Sequence, residues 1–252
     1  MIIGSFLNVC IYRIPEGKSI NFPRSHCMKC GHVLGPQELV PVLSYLALGG
    51  KCKSCKASIS PRYMCIEILT GIGFGTIYTI YGTSSQTIFH CIFLSFMIVL
   101  TMIDWDHMIL PTRIIMWGTG FTLIIKLIEY SINREIVVLL ESILGGLAGF
   151  LIFWLLYKGS IMILKKEGLG YGDVRLMGLL GLYIGIDYIF LMIIIACIVA
   201  SIFGIIFLAI NKESRPFPLG PFLNLGAFII ILYGDQILTL YMHLCNKLYG
   251  PI

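Results

Sequence analysis

Three carboxylates and four thiols stand out in a chain with few polar side chains. The stretch "IDWDHMILP" places Asp104 and Asp106 at the end of one apolar run, and "GLGYGDVRL" places Asp173 behind three glycines and ahead of another. Upstream, "CMKC" and "CKSC" set Cys27, Cys30, Cys52 and Cys55 as two CxxC pairs in a polar stretch. An ionisable group at membrane depth is costly, so each aspartate is a functional candidate. Two carboxylates a few ångströms apart resist joint ionisation and share one proton. The ionised member can then take a proton from water as it attacks a peptide carbonyl, while the protonated member stabilises the tetrahedral oxygen. That chemistry is aspartic proteolysis.

The neighbours fit this reading. Gly170 and Gly172 permit positive φ and close approach of a substrate strand, which bulkier residues would block. Pro111 is expected to end or restart a helix after Asp104. Other roles suit the same residues. Asp173, just before "VRLMGLLGLYIG", would serve as a helix N-cap. Two aspartates on broken helices would also carry a cation or proton in a membrane transporter, and a non-catalytic scaffold would keep them far apart. Asp104 and Asp106 lie two positions apart, about 200° around a helix. Only one should therefore face Asp173, and spacing does not choose between them.

The cysteines carry a different chemistry. A CxxC turn brings two sulfurs to one ion, and two such turns complete a tetrahedron, so Cys27, Cys30, Cys52 and Cys55 read as a four-thiolate zinc site. The pairs are separated by 21 residues. No ligand position is left open for water, which makes the expected zinc structural. Disulfides are disfavoured on the reducing side of a membrane. His26 and His32 flank the first pair without being needed. Cys10, Cys65, Cys91, Cys197 and Cys245 stand singly in apolar runs and are expected to pack.

The elements that must position these residues are membrane helices. Of 252 residues, 58% are hydrophobic and 12% charged, against roughly one-quarter charged in soluble domains. A bilayer core about 30 Å thick needs about 20 apolar residues per crossing. The runs 63–81, 87–103, 114–130, 136–157, 188–210 and 222–244 meet or approach that length. Residues 174–186 are short and would span only if the helix began inside the membrane, and 1–14 form a partial first helix unless the true start lies upstream. No charged n-region or cleavage site marks 1–14 as a signal peptide. The expected fold is an all-α polytopic membrane protein of about eight transmembrane helices, the first truncated, with a small zinc-binding cytoplasmic domain between helices 1 and 2. The corresponding divisions are 1–14, 15–62 and 63–252.

If every run crosses once, fifteen of the eighteen Lys and Arg residues fall on one side, Lys166, Arg175 and Arg215 among them. Only Lys126, Arg134 and Lys247 fall on the other. Cations collect in cytoplasmic loops, so both termini are expected outside and both aspartate segments at the cytoplasmic face. The net charge of +5 is then a matter of topology, and no nucleic-acid partner is expected. "GGLAG" at 145–149 and "GIGFG" at 71–75 suggest close helix packing. His90 and His107 could look catalytic, but His107, following the aspartate pair, reads as a polar boundary residue, and Lys126 with Glu129 as an outer pair.

Taken together, these motifs resemble the type IV prepilin peptidases, prepilin leader peptidase/N-methyltransferases within the GxGD intramembrane aspartic proteases. "GSFLNVCIYRIP" at 4–15, the four-cysteine stretch at 23–63, "IDWDHMILP", "EGLGYGDVRL" and "PLGPFL" at 218–223 occur in the family's order. The resemblance implies that Asp104, seven positions before Pro111, is the catalytic partner of Asp173. It also implies cleavage of prepilin or pseudopilin leaders after glycine and before phenylalanine, at the cytoplasmic face of the bacterial inner membrane. Methylation of the new N-terminus with S-adenosyl-L-methionine would follow, with Gly4, Ser5, Asn8 and Glu67 as cofactor candidates. The substrates and the lipid bilayer are the expected partners. The chain departs from the family pattern at Met64, at Thr112, where aspartate or asparagine is common, and at Arg175, where lysine is.

Overall fold

The computed structural model describes residues 1–165, 168–212 and 216–249. Lys166, Glu167 and Arg215 lie outside the described residues, as does the side chain of Cys245. The helices are α1 (Ile2–Arg13), α2 (Leu43–Ala47), α3 (Arg62–Tyr81), α4 (Ser85–His107), α5 (Thr112–Asn133), α6 (Ile136–Leu164), α7 (Tyr171–Ile184), α8 (Ile186–Asn211) and α9 (Gly220–Tyr249). Among the described residues no strand forms, only two isolated β-bridges. Six helices, α3, α4, α5, α6, α8 and α9, are long and apolar enough to cross a membrane. With the short α1 and α7 they make up the all-α polytopic membrane protein that the sequence predicts.

The chain divides into two compact units, Met1–Ile103 and Asp104–Ile252, and the division falls inside α4. In the first unit α1 packs on α3 at a glycine. A Cβ on Gly4 would stand 2.8 Å from the Glu67 Cα and 3.1 Å from the Thr70 Cβ, so the two backbones approach as closely as small residues allow. α1 ends at Arg13, whose buried guanidinium donates to the carbonyls of Ser19, Ile20 and Pro23 at 3.0, 3.1 and 2.7 Å. That folds the polar segment back onto the helix end. Within "GIGFG", a Cβ on Gly71 would stand 3.1 Å from the Met1 side chain, whereas Gly75 faces open space.

The second unit is built around α7. Its residues Val174, Leu176, Met177 and Leu180 are fully buried. A helix of 14 residues spans only about 21 Å at 1.5 Å per residue, which is too short for the bilayer core but long enough to sit inside a jacket of longer helices. The glycines of "GGLAG" make the jacket tight. Gly145 and Gly181 abut backbone to backbone, and a Cβ on Gly149 would stand 2.6 Å from the Met177 carbonyl. Gly118 of α5 makes room for the Leu179 side chain, which would stand 3.0 Å from a Cβ there. Of the single cysteines Cys10 is buried and Cys91 half-buried, but Cys65 and Cys197 are exposed. Packing therefore does not account for the latter two.

Candidate functional site

Asp104 occupies the last turn of α4. The helix stops because Met108 enters the left-handed region (φ 52°) and returns its N–H to the Asp104 carbonyl at 2.8 Å. Pro111, at φ −61° and ψ 116°, precedes the first residue of α5. It thus restarts a helix as expected. Asp104 is 5% exposed, whereas Asp106 lies on the exposed surface. The buried carboxylate has one protein donor at hand, the Gly220 backbone N–H, 3.0 Å from Asp104 Oδ2. Gly220 opens α9, and a Cβ there would stand 2.5 Å from the same oxygen, so only glycine admits this contact. Both partners are pinned by aromatic rings. Trp105, next to Asp104, and Phe217 and Phe222, on either side of Gly220, all pack on Phe203 with centroids 5.6, 5.6 and 5.1 Å away.

Asp173 lies in the first turn of α7 and is 9% exposed. Gly170 stands at the N-cap, so Asp173 is not the cap but an acidic residue in the first turn, where the helix dipole favours it. The Gly170 N–H faces its carboxylate, and the Asp104 carboxylate lies within electrostatic reach of it. Neither glycine takes the positive φ open to it. Gly170 has φ −70° and ψ 138°, and Gly172 is helical. Their smallness serves contact instead. A Cβ on Gly170 would stand 3.1 Å from Asp173 Oδ2, and one on Gly172 would stand 2.9 Å from Leu110 Cβ. The chain's own segment after Asp104 thus lies against Gly172. Thr112 and Arg175, two of the three departures noted above, are partners: Arg175 Nη1 donates to Thr112 Oγ1.

The four cysteines converge in the first unit. Their sulfurs lie within 4.8 Å of one another, with Cys27 to Cys55 at 3.8 Å and Cys30 to Cys52 at 4.0 Å. A tetrahedral ion with bonds of about 2.3 Å requires roughly 3.8 Å between sulfurs, so the set fits a metal and not disulfides. Each pair sits in the same knuckle. The N–H groups of Cys27 and Cys52 donate to the carbonyls of His32 and Ala57, both at 2.8 Å. Gly31 and Lys56, each one residue past the second cysteine of its pair, take the left-handed conformation at φ 71° and 58°. Backbone N–H groups of Cys30 and Lys29 point at the Cys27 thiol and draw its pKa below the ordinary value. His32 turns away to Glu38 Oε2, 3.1 Å distant. The Glu38 carboxyl is held below its ordinary range by the Gly35 N–H and then by His32.

Gly4, Ser5, Asn8 and Glu67 gather where α1 meets α3, but their contacts are internal. Asn8 Nδ2 donates to the Tyr63 carbonyl at 3.1 Å, and Glu67 Oε2 accepts the Val42 N–H at 2.8 Å. Val42 is the centre of a γ-turn (φ 63°, ψ −51°) closed by Leu43 N–H to the Pro41 carbonyl at 2.6 Å. That conformation is strained for a β-branched residue, and the buried Glu67 holds it in place. Ser5 is half-buried. These residues brace the helix pair. A cavity of about 410 Å³ in the same unit is lined by other residues, Arg13, Arg24 and Ser25 among them.

Spacing alone did not single out Gly220, Leu110 or Thr112. Gly220 was visible only as part of "PLGPFL", because its partner lies 116 residues away.

Residues 1–81 match the family model for the bacterial peptidase A24 N-terminal domain, and residues 91–205 that for the type IV leader peptidase family. Among similar proteins, the prepilin leader peptidase/N-methyltransferase of Aeromonas salmonicida is 32% identical, with 96% of this chain and 91% of the relative covered. Those of Pseudomonas aeruginosa and Neisseria gonorrhoeae are also 32% identical, covering 96% and 94% of this chain and 90% and 89% of the relatives. No solved structure matches the chain.

Proposed function

The chain belongs to the type IV leader peptidase family, and from that premise we propose that Asp104 and Asp173 are the catalytic pair of a membrane aspartic endopeptidase. The observation that supports the reading is that two buried carboxylates, from α4 and α7, lie within electrostatic reach of each other, beside glycines that leave no side chain over them. One carboxylate takes a proton from water, whose oxygen bonds to the scissile carbonyl carbon. The other, protonated, donates to the carbonyl oxygen. Collapse of the tetrahedral species breaks the C–N bond as a proton passes to the leaving amine. Gly170, Gly172 and Pro111 keep the approach narrow and the turn fixed.

The substrates we assign are type IV prepilins or pseudopilins, cut after glycine and before phenylalanine. The names of the relatives support prepilin processing, and the segregation of Lys and Arg supports a site at the cytoplasmic face of the bacterial inner membrane. The helices and the relatives agree on a multi-pass membrane protein. Zinc is the ion we assign to Cys27, Cys30, Cys52 and Cys55, as a structural centre of residues 15–62 that separates a first helix at 1–14 from the peptidase core at 63–252. The relatives are also named N-methyltransferases, so methylation of the new N-terminus from S-adenosylmethionine is the second activity assigned. Gly4, Ser5, Asn8 and Glu67, at the contact of α1 with α3, are the residues assigned to it by resemblance.

The test is cleavage of a type IV prepilin in detergent by the purified protein. The leader should be released, and Asp104→Asn or Asp173→Asn should each abolish release while the variants stay folded. Normal cutting by both would end the dyad assignment. Labelled S-adenosylmethionine added to the same reaction should mark the shortened pilin, and cleavage without label would reduce the enzyme to a peptidase.

A further inference from the structure

We propose that the Arg175–Thr112 contact is a positioning latch that sets the gap between the two carboxylates; this rests on the dyad reading above. The first turn of α7 is poor in side chains that could hold it, since Gly168, Gly170 and Gly172 precede or accompany Asp173. The fully buried anchors of α7 begin only at Val174. What secures the turn laterally is a pair of contacts to the segment that follows Asp104. Leu110 lies against Gly172, and Arg175 donates to the hydroxyl of Thr112, the first residue of α5.

Arg175 stands two residues past Asp173, about 200° around the helix. Its side chain therefore leaves the carboxylate free while it grips the chain behind it. The grip is aimed from the other side as well. The guanidinium lies 4.5 Å from the Tyr171 ring centroid, and that ring packs against Tyr157 of α6 at 5.5 Å. A planar cation between a ring face and a hydroxyl keeps one orientation. Asp104 is tied to the same segment by its own carbonyl, through Met108. The chain from 104 to 112 thus forms a short rule between one carboxylate and the clamp on the other.

Arg175 and Thr112 touch no reacting atom, so their removal should act on geometry. Arg175→Ala and Thr112→Val should each lower kcat for prepilin cleavage by about 10- to 100-fold, the scale expected for a misplacement near 1 Å. KM should stay within about threefold, because the loss falls on the chemical step. The double variant should be no slower than the worse single one, since both remove one contact. Thr112→Ser, which keeps the hydroxyl, should restore most of the rate. Melting temperature in detergent separates misfolding from misplacement, and Thr112→Val, at an exposed position, removes only the acceptor if Arg175→Ala proves unstable. Unchanged kcat in folded Arg175→Ala and Thr112→Val, or losses that multiply in the double variant, would overturn the latch. The dyad would still stand, provided Asp104→Asn and Asp173→Asn are inactive in the same assay.

Discussion

At the scale of single residues, the site is defined as much by missing side chains as by the carboxylates. A methyl group at Gly220 would stand 2.5 Å from Asp104 Oδ2, closer than any non-bonded pair tolerates. Gly220→Ala is expected to displace the N–H from Asp104 and to cut turnover by at least about 10-fold, measured as initial rate on prepilin with melting temperature as control. In the metal centre the same logic runs the other way. Lys56 holds a left-handed conformation that costs an ordinary residue about 1–2 kcal/mol, while its counterpart Gly31 holds it freely. Lys56→Gly should make the metal harder to strip by a competing chelator, and Gly31→Ala easier. The two knuckles were legible in the sequence because each is local. The Asp104 to Gly220 contact was not, because it joins residues 116 apart and a backbone donor leaves no mark in a list of side chains. Asp104 and Asp106 differ in burial, a property of the fold that spacing two apart does not encode.

At the scale of elements, the short helix α7 was legible as an apolar run, but its place was not. Hydropathy shows that 174–186 is too short to span. The α6 glycines of "GGLAG" were legible as a packing surface, but that α7 is the helix they receive appears only when the backbones meet. Gly149→Ala would place a methyl 2.6 Å from the Met177 carbonyl, an overpacking that neither backbone can relieve by changing rotamer. It should lower the melting temperature markedly, with a loss on the order of 1–3 kcal/mol. Gly120→Ala, on α5 with nothing within 4 Å, should leave stability unchanged or raise it by up to about 1 kcal/mol. Thermal unfolding of both in one detergent checks the contrast. The polar segment between α1 and α3 has its own fastening. Purified protein should carry about one zinc per chain, lost when Cys27 and Cys52 are both replaced by serine. Zinc retained after that exchange would remove the assignment.

At the scale of the whole molecule, the large exposed apolar surface, with Ile205, Leu155, Met116 and Trp117 among its residues, is what a chain with lipid for solvent should show. The six long helices carry their own warrant for insertion, α8 most strongly, at a mean hydropathy of 3.1. α7 does not, and this bears on the order of events during synthesis. Its 14 residues bury against α6, already made when α7 emerges, and against α8 and α9, which are not. A chain truncated after Ile184 should therefore leave its C-terminus on either side of the membrane, and extension through Asn211 should settle it on one. Reporter fusions at the two points read this directly. The turn that carries Asp173 would then find its level late, so an unfinished copy would not hold Asp173 at a fixed depth until its later helices had entered.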